Sequence, residues 1–362
     1  MKKKSLSAKK TTHKSLLNHL NNSNVKKVFN GFKNYLDKFI KKKDKIGVAI
    51  SGGPDSLALA FLAKCYFLKN KLDAKFFIVD HKIRKESSKE AKLVRLFLKK
   101  FHINCEILNW YGKKPHSNIQ GIARNKRYDL LKNACKKNDI KHLLIGHHID
   151  DLYENFFIRL LRGSGLKGLS SFGETIREEE SNITILRPLI KFEKKHLIYI
   201  SKNVFKFFIE DPSNKNLNFQ RSRIRKLILD LENEGLDKKK LDLTIDNLKS
   251  ADLVIKIYVE ENVKNNAKYL TNSNKYILNQ KFFISQANEV VFRSFSEVLR
   301  KVSGKYYPPR GTKIKDAISK CMFSNYKGKS EIKSKKEGDL KFTLGGCYIE
   351  RIKQTIIISK EK

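Results

Sequence analysis

Apolar positions along this chain change period several times, and the changes outline its architecture. Val28, Phe29, Phe32, Tyr35, Leu36 and Ile40 recur at helical spacing and predict an amphipathic helix over 28–42. Short apolar runs then alternate with helical patterns. Strands are predicted at 45–50, 74–80, 103–110, 141–146 and 182–186, with helices at 57–68, 87–100, 118–137 and 150–161. That alternation predicts a doubly wound parallel α/β sheet over about residues 44–210. The pattern turns wholly helical over 219–265, where Leu227, Ile228, Leu231, Leu241, Ile245, Leu248, Leu253 and Ile257 form the expected buried set. A mixed segment runs to about 302, residues 306–311 read as a linker, and 342–344 with 348–358 read as a hairpin around Gly345-Gly346. The expected organisation is a disordered basic arm over 1–27, an α/β domain over 28–218, a helical domain over 219–302 and a small basic α+β module over 303–362.

Composition narrows the function classes. The 362 residues are 40% hydrophobic, enough for a core, so a wholly disordered chain is excluded. The densest apolar run, 57–63, is far too short to span a bilayer. Met1-Lys2-Lys3-Lys4 is followed by no apolar stretch, so no secretory signal is expected. Cys65, Cys105, Cys135, Cys321 and Cys347 are odd in number, widely spaced and without a CxxC pair. A disulfide scaffold, a zinc ribbon and a thioredoxin-type pair are therefore disfavoured, and a reducing cytoplasm is expected. Lys and Arg number 77 against 37 Asp and Glu, a formal net charge of +40. Residues 1–27 carry eight Lys and no acid, and residues 301–362 carry 16 basic against six acidic side chains. A polyanionic partner is expected, and nucleic acid first. The competing explanation is an AT-rich coding bias, which spreads lysine evenly.

Candidate chemistry centres on Ser51-Gly52-Gly53-Pro54-Asp55-Ser56, which follows a strand and opens a helix. Ligands of doubly wound sheets bind beyond the carboxyl ends of strands. Two glycines admit close backbone approach, and backbone N–H groups at a helix N-terminus attract phosphate. Asp55 is out of place in a pure anion cradle and makes sense as a holder of Mg²⁺. A second pattern, Gly163-Ser164-Gly165-Leu166-Lys167-Gly168, fits GxGxxG but follows a helix rather than a strand. It therefore fails the context of a dinucleotide site.

The hexapeptide resembles the SGGxDS loop of the N-type ATP pyrophosphatases, which split ATP between its α and β phosphates. Later segments resemble one branch, the tRNA(Ile)-lysidine synthases. These are Val79-Asp80-His81-Lys82-Ile83-Arg84, Ala123-Arg124-Asn125-Lys126-Arg127-Tyr128, Leu144 to Asp151 with Glu154, Arg159 to Leu169, Leu186-Arg187-Pro188-Leu189, Glu210 to Asn214, and Arg221-Ser222-Arg223-Ile224-Arg225. Thr343 to Cys347 is similar to a C-terminal motif of the same family. Two departures stand out: Lys82 where the family usually has glycine, and Leu152, Tyr153 and Asn155 around Glu154.

The resemblance implies an adenine nucleotide α-hydrolase-like fold and a ligase. ATP would activate O2 of the wobble cytidine in a CAU anticodon of isoleucine tRNA, and free L-lysine would displace AMP. Implied roles follow. Ser51, Gly52, Gly53, Pro54, Asp55 and Ser56 would bind ATP, with Asp55 holding Mg²⁺. Asp150 and Asp151 would receive the incoming ammonium, although both also suit capping of the helix near 150. Arg124 would assist charge developing on the nucleotide. Arg159, Arg162, Arg221, Arg223 and Arg225 would contact RNA phosphates. No protein partner is expected, and a homodimer is left open. A tRNA thiolase is the competing enzyme, set back by the missing cysteine pair. A non-catalytic RNA-binding protein is the competing class, set back by the intact acidic and basic residues.

Overall fold

The computed structural model describes residues 12–84, 86–112, 119–173, 175–178, 182–209, 217–305, 308–322 and 340–361. The chain divides into two compact units, 1–242 and 243–362. The division falls inside a helix, not at the boundaries 218 and 302 that the sequence pattern suggests.

The first unit contains α1 (His13–Asn18), α2 (Ser23–Leu36), β1 (Ile46–Ile50), α3 (Pro54–Asn70), β2 (Ala74–Asp80), α4 (Ser87–Lys99), β3 (Cys105–Asn109) and α5 (Ile119–Lys137). It continues with β4 (His142–Leu144), α6 (Ile149–Leu161), α7 (Leu166–Ser170), β5 (Thr175–Glu178), β6 (Ile183–Leu186), α8 (Lys194–Val204) and α9 (Gln220–Asn233). The strand order is β3-β2-β1-β4-β6-β5. All pairings are parallel except β5 on β6. The doubly wound sheet expected from the alternation is therefore present, with an antiparallel edge strand that the sequence pattern did not show.

Strand order reverses between β1 and β4, and that reversal leaves a crevice at their carboxyl ends. Behind it lies α3, whose residues from Leu57 to Ala63 are all fully buried. A helix that is apolar all round belongs inside a domain. Here α3 is packed between β1 and α8. The helix begins at Pro54 rather than Leu57, because Gly53 caps it and proline is preorganised for a first turn.

The disordered arm expected over 1–27 is corrected for the described residues 12–27. Leu16, Leu20 and Val25 are buried. The side chain of Thr12 caps α1, and that of Asn22 caps α2. His19 packs edge-on against Phe61 of α3, and Asn22 donates to the Tyr199 hydroxyl at 3.0 Å. The apolar residues here are too sparse for a periodic signal, yet enough to dock a short helix. Residues 1–11 lie outside the described residues.

Helix α10 (Lys238–Asn266) leads into the second unit. There β7 (Ala267–Leu270), β8 (Lys275–Leu278), α11 (Lys281–Ile284), α12 (Asn288–Ser303), α13 (Gly311–Cys321), β9 (Lys341–Leu344), β10 (Cys347–Ile352) and β11 (Thr355–Lys360) follow. The strands form one antiparallel sheet, β7-β8-β11-β10-β9. The expected C-terminal hairpin is thus three strands, and β8 on β11 ties them to residues the sequence pattern assigned to another domain. Phe282, Phe295, Val298, Leu299, Ile349, Ile356 and Ile358 form its core. Of the buried set expected over 219–265, Ile228, Leu241 and Ile245 are buried, while Leu227, Leu253 and Ile257 are exposed. The face of α10 that is buried in the second unit carries Val259 and Asn262 instead. Asn262 donates to the Phe282 carbonyl and the Ser294 hydroxyl. Residues 306 and 307 of the expected linker lie outside the described residues. Among the described residues no helix is long and apolar enough to cross a membrane.

Candidate active site

The loop after β1 is held by its own last residue. Ser56 Oγ accepts from the backbone N–H groups of Ser51 and Gly52, each at 3.1 Å, and donates to the Gly53 carbonyl at 2.9 Å. Gly52 sits at φ +88, a left-handed conformation that favours glycine. Opposite the loop, Gly146 lies two residues past the end of β4. A Cβ there would lie 3.2 Å from the Asp55 carbonyl oxygen, tighter than ordinary contact, so glycine eases the close approach of this segment to the first turn of α3.

That closure brings the residues after β4 onto the loop. His148 is buried, and three carboxylates converge on its ring. Asp150 lies 3.3 Å from Nδ1, and Asp55 and Asp151 each lie 3.6 Å from Nε2. Burial works against a charged imidazole, but Asp150, Asp55 and Asp151 outweigh it and raise the His148 pKa to about 10. Burial likewise opposes the Asp150 charge, and His148, the Lys194 backbone N–H and Lys238 bring its carboxyl down to about 2. Asp151 accepts from the His148 backbone N–H at 3.0 Å, so it caps α6 while facing the site. Its carboxyl stays below the usual range because the two histidines overcome its burial.

A cationic side faces this acidic one. Arg187, the largest fully buried side chain, stacks over Phe172 with its guanidinium carbon 4.5 Å from the ring centre. It donates to His147 Nδ1 at 3.0 Å and to the Gly173 carbonyl at 2.6 Å. Burial, opposed by Asp151 and reinforced by Arg187, Arg124 and Arg221, pushes His147 down to about 3. Arg124 donates to the Tyr128 hydroxyl at 3.3 Å and lies over that ring. The electrostatics are therefore split. One flank suits an ammonium or a metal ion, and the other suits phosphate or a developing negative charge.

Asp55, Asp150 and Asp151, given roles by the resemblance, meet around His148, and Arg124 lies close enough to act on the neighbouring His147. The structure redistributes the five arginines expected to face RNA. Arg225 is turned inward and paired with buried Glu154 at 2.5 Å. Burial raises the Glu154 pKa and Arg225 opposes it. Arg221 lies one turn away on the same face of α9, close enough to act on Asp151 and His147. Arg223 points the other way and donates to the Leu217 and Asn218 carbonyls. Arg162 donates to Gln220 at 2.7 Å, and Arg159 lies in the last turn of α6. Arg187 and His148 lie in motifs quoted above, but spacing did not reveal that the guanidinium is buried at the site or that the imidazole is shared by carboxylates. The signal for Arg187 was an arginine directly after an apolar strand and before proline.

Mg²⁺ on nucleotides is usually held by one or two carboxylates together with phosphates and water. Among the described residues no group of three or more His, Cys, Asp or Glu is arranged to hold a metal alone. Asp55 Oδ1 is a buried oxygen without a hydrogen-bond partner, on the first turn of the helix that follows the loop. A hard oxygen donor in that place fits the ion.

Comparison with known proteins identifies the class of this chain. Residues 19–232 match the PP-loop domain family. The fold is similar to that of the U34-tRNA thiolase NcsA from Methanococcus maripaludis, with a TM-score of 0.54 at 18% identity over 63% of this chain and 80% of that one. Curated relatives are closer. The tRNA(Ile)-lysidine synthase of Wolbachia sp. subsp. Brugia malayi is 30% identical over 332 residues, 91% of this chain and 74% of that protein. That of Orientia tsutsugamushi is 32% identical over 89% and 70%, and that of Rhodopseudomonas palustris 31% identical over 88% and 91%. The chain belongs to the tRNA(Ile)-lysidine synthase family.

Proposed function

We propose that this chain joins the ε-amine of free lysine to C2 of the wobble cytidine in a CAU-anticodon isoleucine tRNA, in the cytoplasm, at the expense of ATP. The observation that carries the reading is the meeting of the loop 51–56 with an acidic flank and a cationic flank at the reversal of the sheet. Cytidine O2 would attack the α-phosphorus of ATP and release diphosphate. The lysine amine would then add at C2, lose a proton, and expel AMP. The N–H groups at the start of α3 receive phosphate charge. Bound Mg²⁺, held by Asp55, would neutralise charge on the departing diphosphate. Asp150 and Asp151 lie where an ammonium group gains from two carboxylates and can pass on a proton. Arg124, with Arg187 behind it, opposes the negative charge that develops on the nucleotide.

Thiolation is the weaker reading. Burial raises Cys65, Cys105, Cys135 and Cys321 to about 12, and Cys347 to about 11, so these thiols are protonated and poor nucleophiles.

The test is incorporation of labelled lysine into total tRNA with ATP present. Label is expected in one isoleucine isoacceptor, with diphosphate release that depends on lysine. Release indifferent to lysine would move the chain to another branch of the class. Asp55→Asn is expected to lose at least about a hundredfold in turnover while retaining tRNA binding, because one carboxylate of an electrostatic site carries on the order of 3 kcal/mol.

A further inference from the structure

Lys82 occupies a left-handed backbone position, φ +51, at the end of β2. Such a conformation favours glycine, the residue that the family resemblance leads one to expect there, and a residue with a Cβ is strained in it. Asp80 pins the strained turn by accepting from the Lys82 N–H at 2.9 Å. The side chain so placed reaches Tyr111, with Nζ 4.1 Å from the ring centre. Tyr111 follows β3 and is 78% exposed. Beside it stands Trp110, the sole tryptophan of the chain, half-buried and met edge-on by His81. Arg127 donates to His81 at 3.2 Å. A Cβ at Gly112 would lie 3.1 Å from the indole nitrogen, so the glycine leaves room for the indole to lie against its backbone. These groups sit past the carboxyl ends of β2 and β3, on the same edge of the sheet as loop 51–56.

We infer that Trp110, Tyr111 and Lys82 form a stacking platform for an unpaired base of the RNA substrate, with Lys82 and Arg127 facing its phosphate. The inference rests on the tRNA reading above. Aromatic faces bind any base, and lysine or arginine beside them tracks the backbone of a single strand. The exposure argues for RNA over a small nucleotide. A free nucleotide is held by a pocket that encloses most of it, whereas a macromolecule brings its base to an open surface.

The lone tryptophan makes the test direct. The probes are an RNA hairpin with an unpaired CAU-containing loop and the same stem closed as a blunt duplex. Trp110 emission is expected to fall with the hairpin and not with the duplex. Tyr111→Ala is expected to weaken hairpin binding about 5- to 150-fold, and Tyr111→Phe to retain it. Lys82→Gly, which suits the backbone better, is expected to fold normally and to lower the salt slope of binding by about one. If labelled hairpin binds with Trp110 emission unchanged and Tyr111→Ala equal to wild type, the platform is overturned while the tRNA reading stands. Absence of any RNA binding would overturn both. Quenching by ATP alone would give the platform to the adenine of the nucleotide and overturn the RNA assignment.

Discussion

His147 and His148 are neighbours in sequence but differ in charge. His148 is held as a cation among carboxylates, whereas His147 faces Arg187, Arg124 and Arg221 and stays neutral, with Nδ1 accepting from Arg187. The consequence for His147 has a definite sign. Its folded pKa, about 3, lies below the ordinary value of 6.5. The unfolded chain therefore binds the proton first, and stability present above pH 6.5 is lost as pH falls toward 3. His147→Asn offers Arg187 an acceptor oxygen without a titrating group. Chemical denaturation at a series of pH values is expected to show a shallower acid-side loss for that variant; matching slopes would exclude His147 as a source.

At the scale of elements, α9 and β4 decide what the site contains. Arg221 and Arg225 are one helical turn apart and face the carboxylates, while Arg223 between them faces away. Arg225→Ala leaves Glu154 buried without its partner and is expected to cost on the order of 2–3 kcal/mol. Arg223→Ala is expected to stay within about 0.5 kcal/mol. Equal losses in urea titrations would mean that α9 is turned otherwise. The segment just past β4 is as demanding. A methyl on Gly146 would press against the Asp55 backbone, which has no flexible end to yield. Gly146→Ala is therefore expected to cost about 1–3 kcal/mol and to raise the KM for ATP more than it lowers lysine affinity, a split readable from initial rates.

For the whole molecule the governing quantity is the net charge of +40. Some cations are engaged by acids without changing that excess: Lys238 meets Asp150 and Glu232 in the first unit, and Arg293 meets Asp252 and Glu289 in the second. If the remaining surface grips RNA phosphates, the logarithm of tRNA affinity should fall linearly with the logarithm of salt, with a slope of several units. A response near zero would leave the lysines as a composition effect.

The legible part of this protein was local. Period and alternation gave the parallel sheet and the helices flanking it, and the loop 51–56 was plain from glycines between an apolar strand and an apolar helix. Short-range order of that kind is set by backbone sterics and by burial of one face. The sparse helix α1 and the sheet linking residues 267–278 to 341–360 were not legible, because their buried residues are covered by partners distant in the chain, and the strand β5 is defined only by its antiparallel pairing on β6. The candidate site was half visible. Asp55, Asp150, Asp151 and Arg124 could be named from their motifs, but not that the carboxylates share one imidazole, nor that Arg187 is buried beside them. Only the reversal of strand order at β1 and β4 brings these groups within a few ångströms, and charge at that distance depends on every neighbour, not on the residue itself.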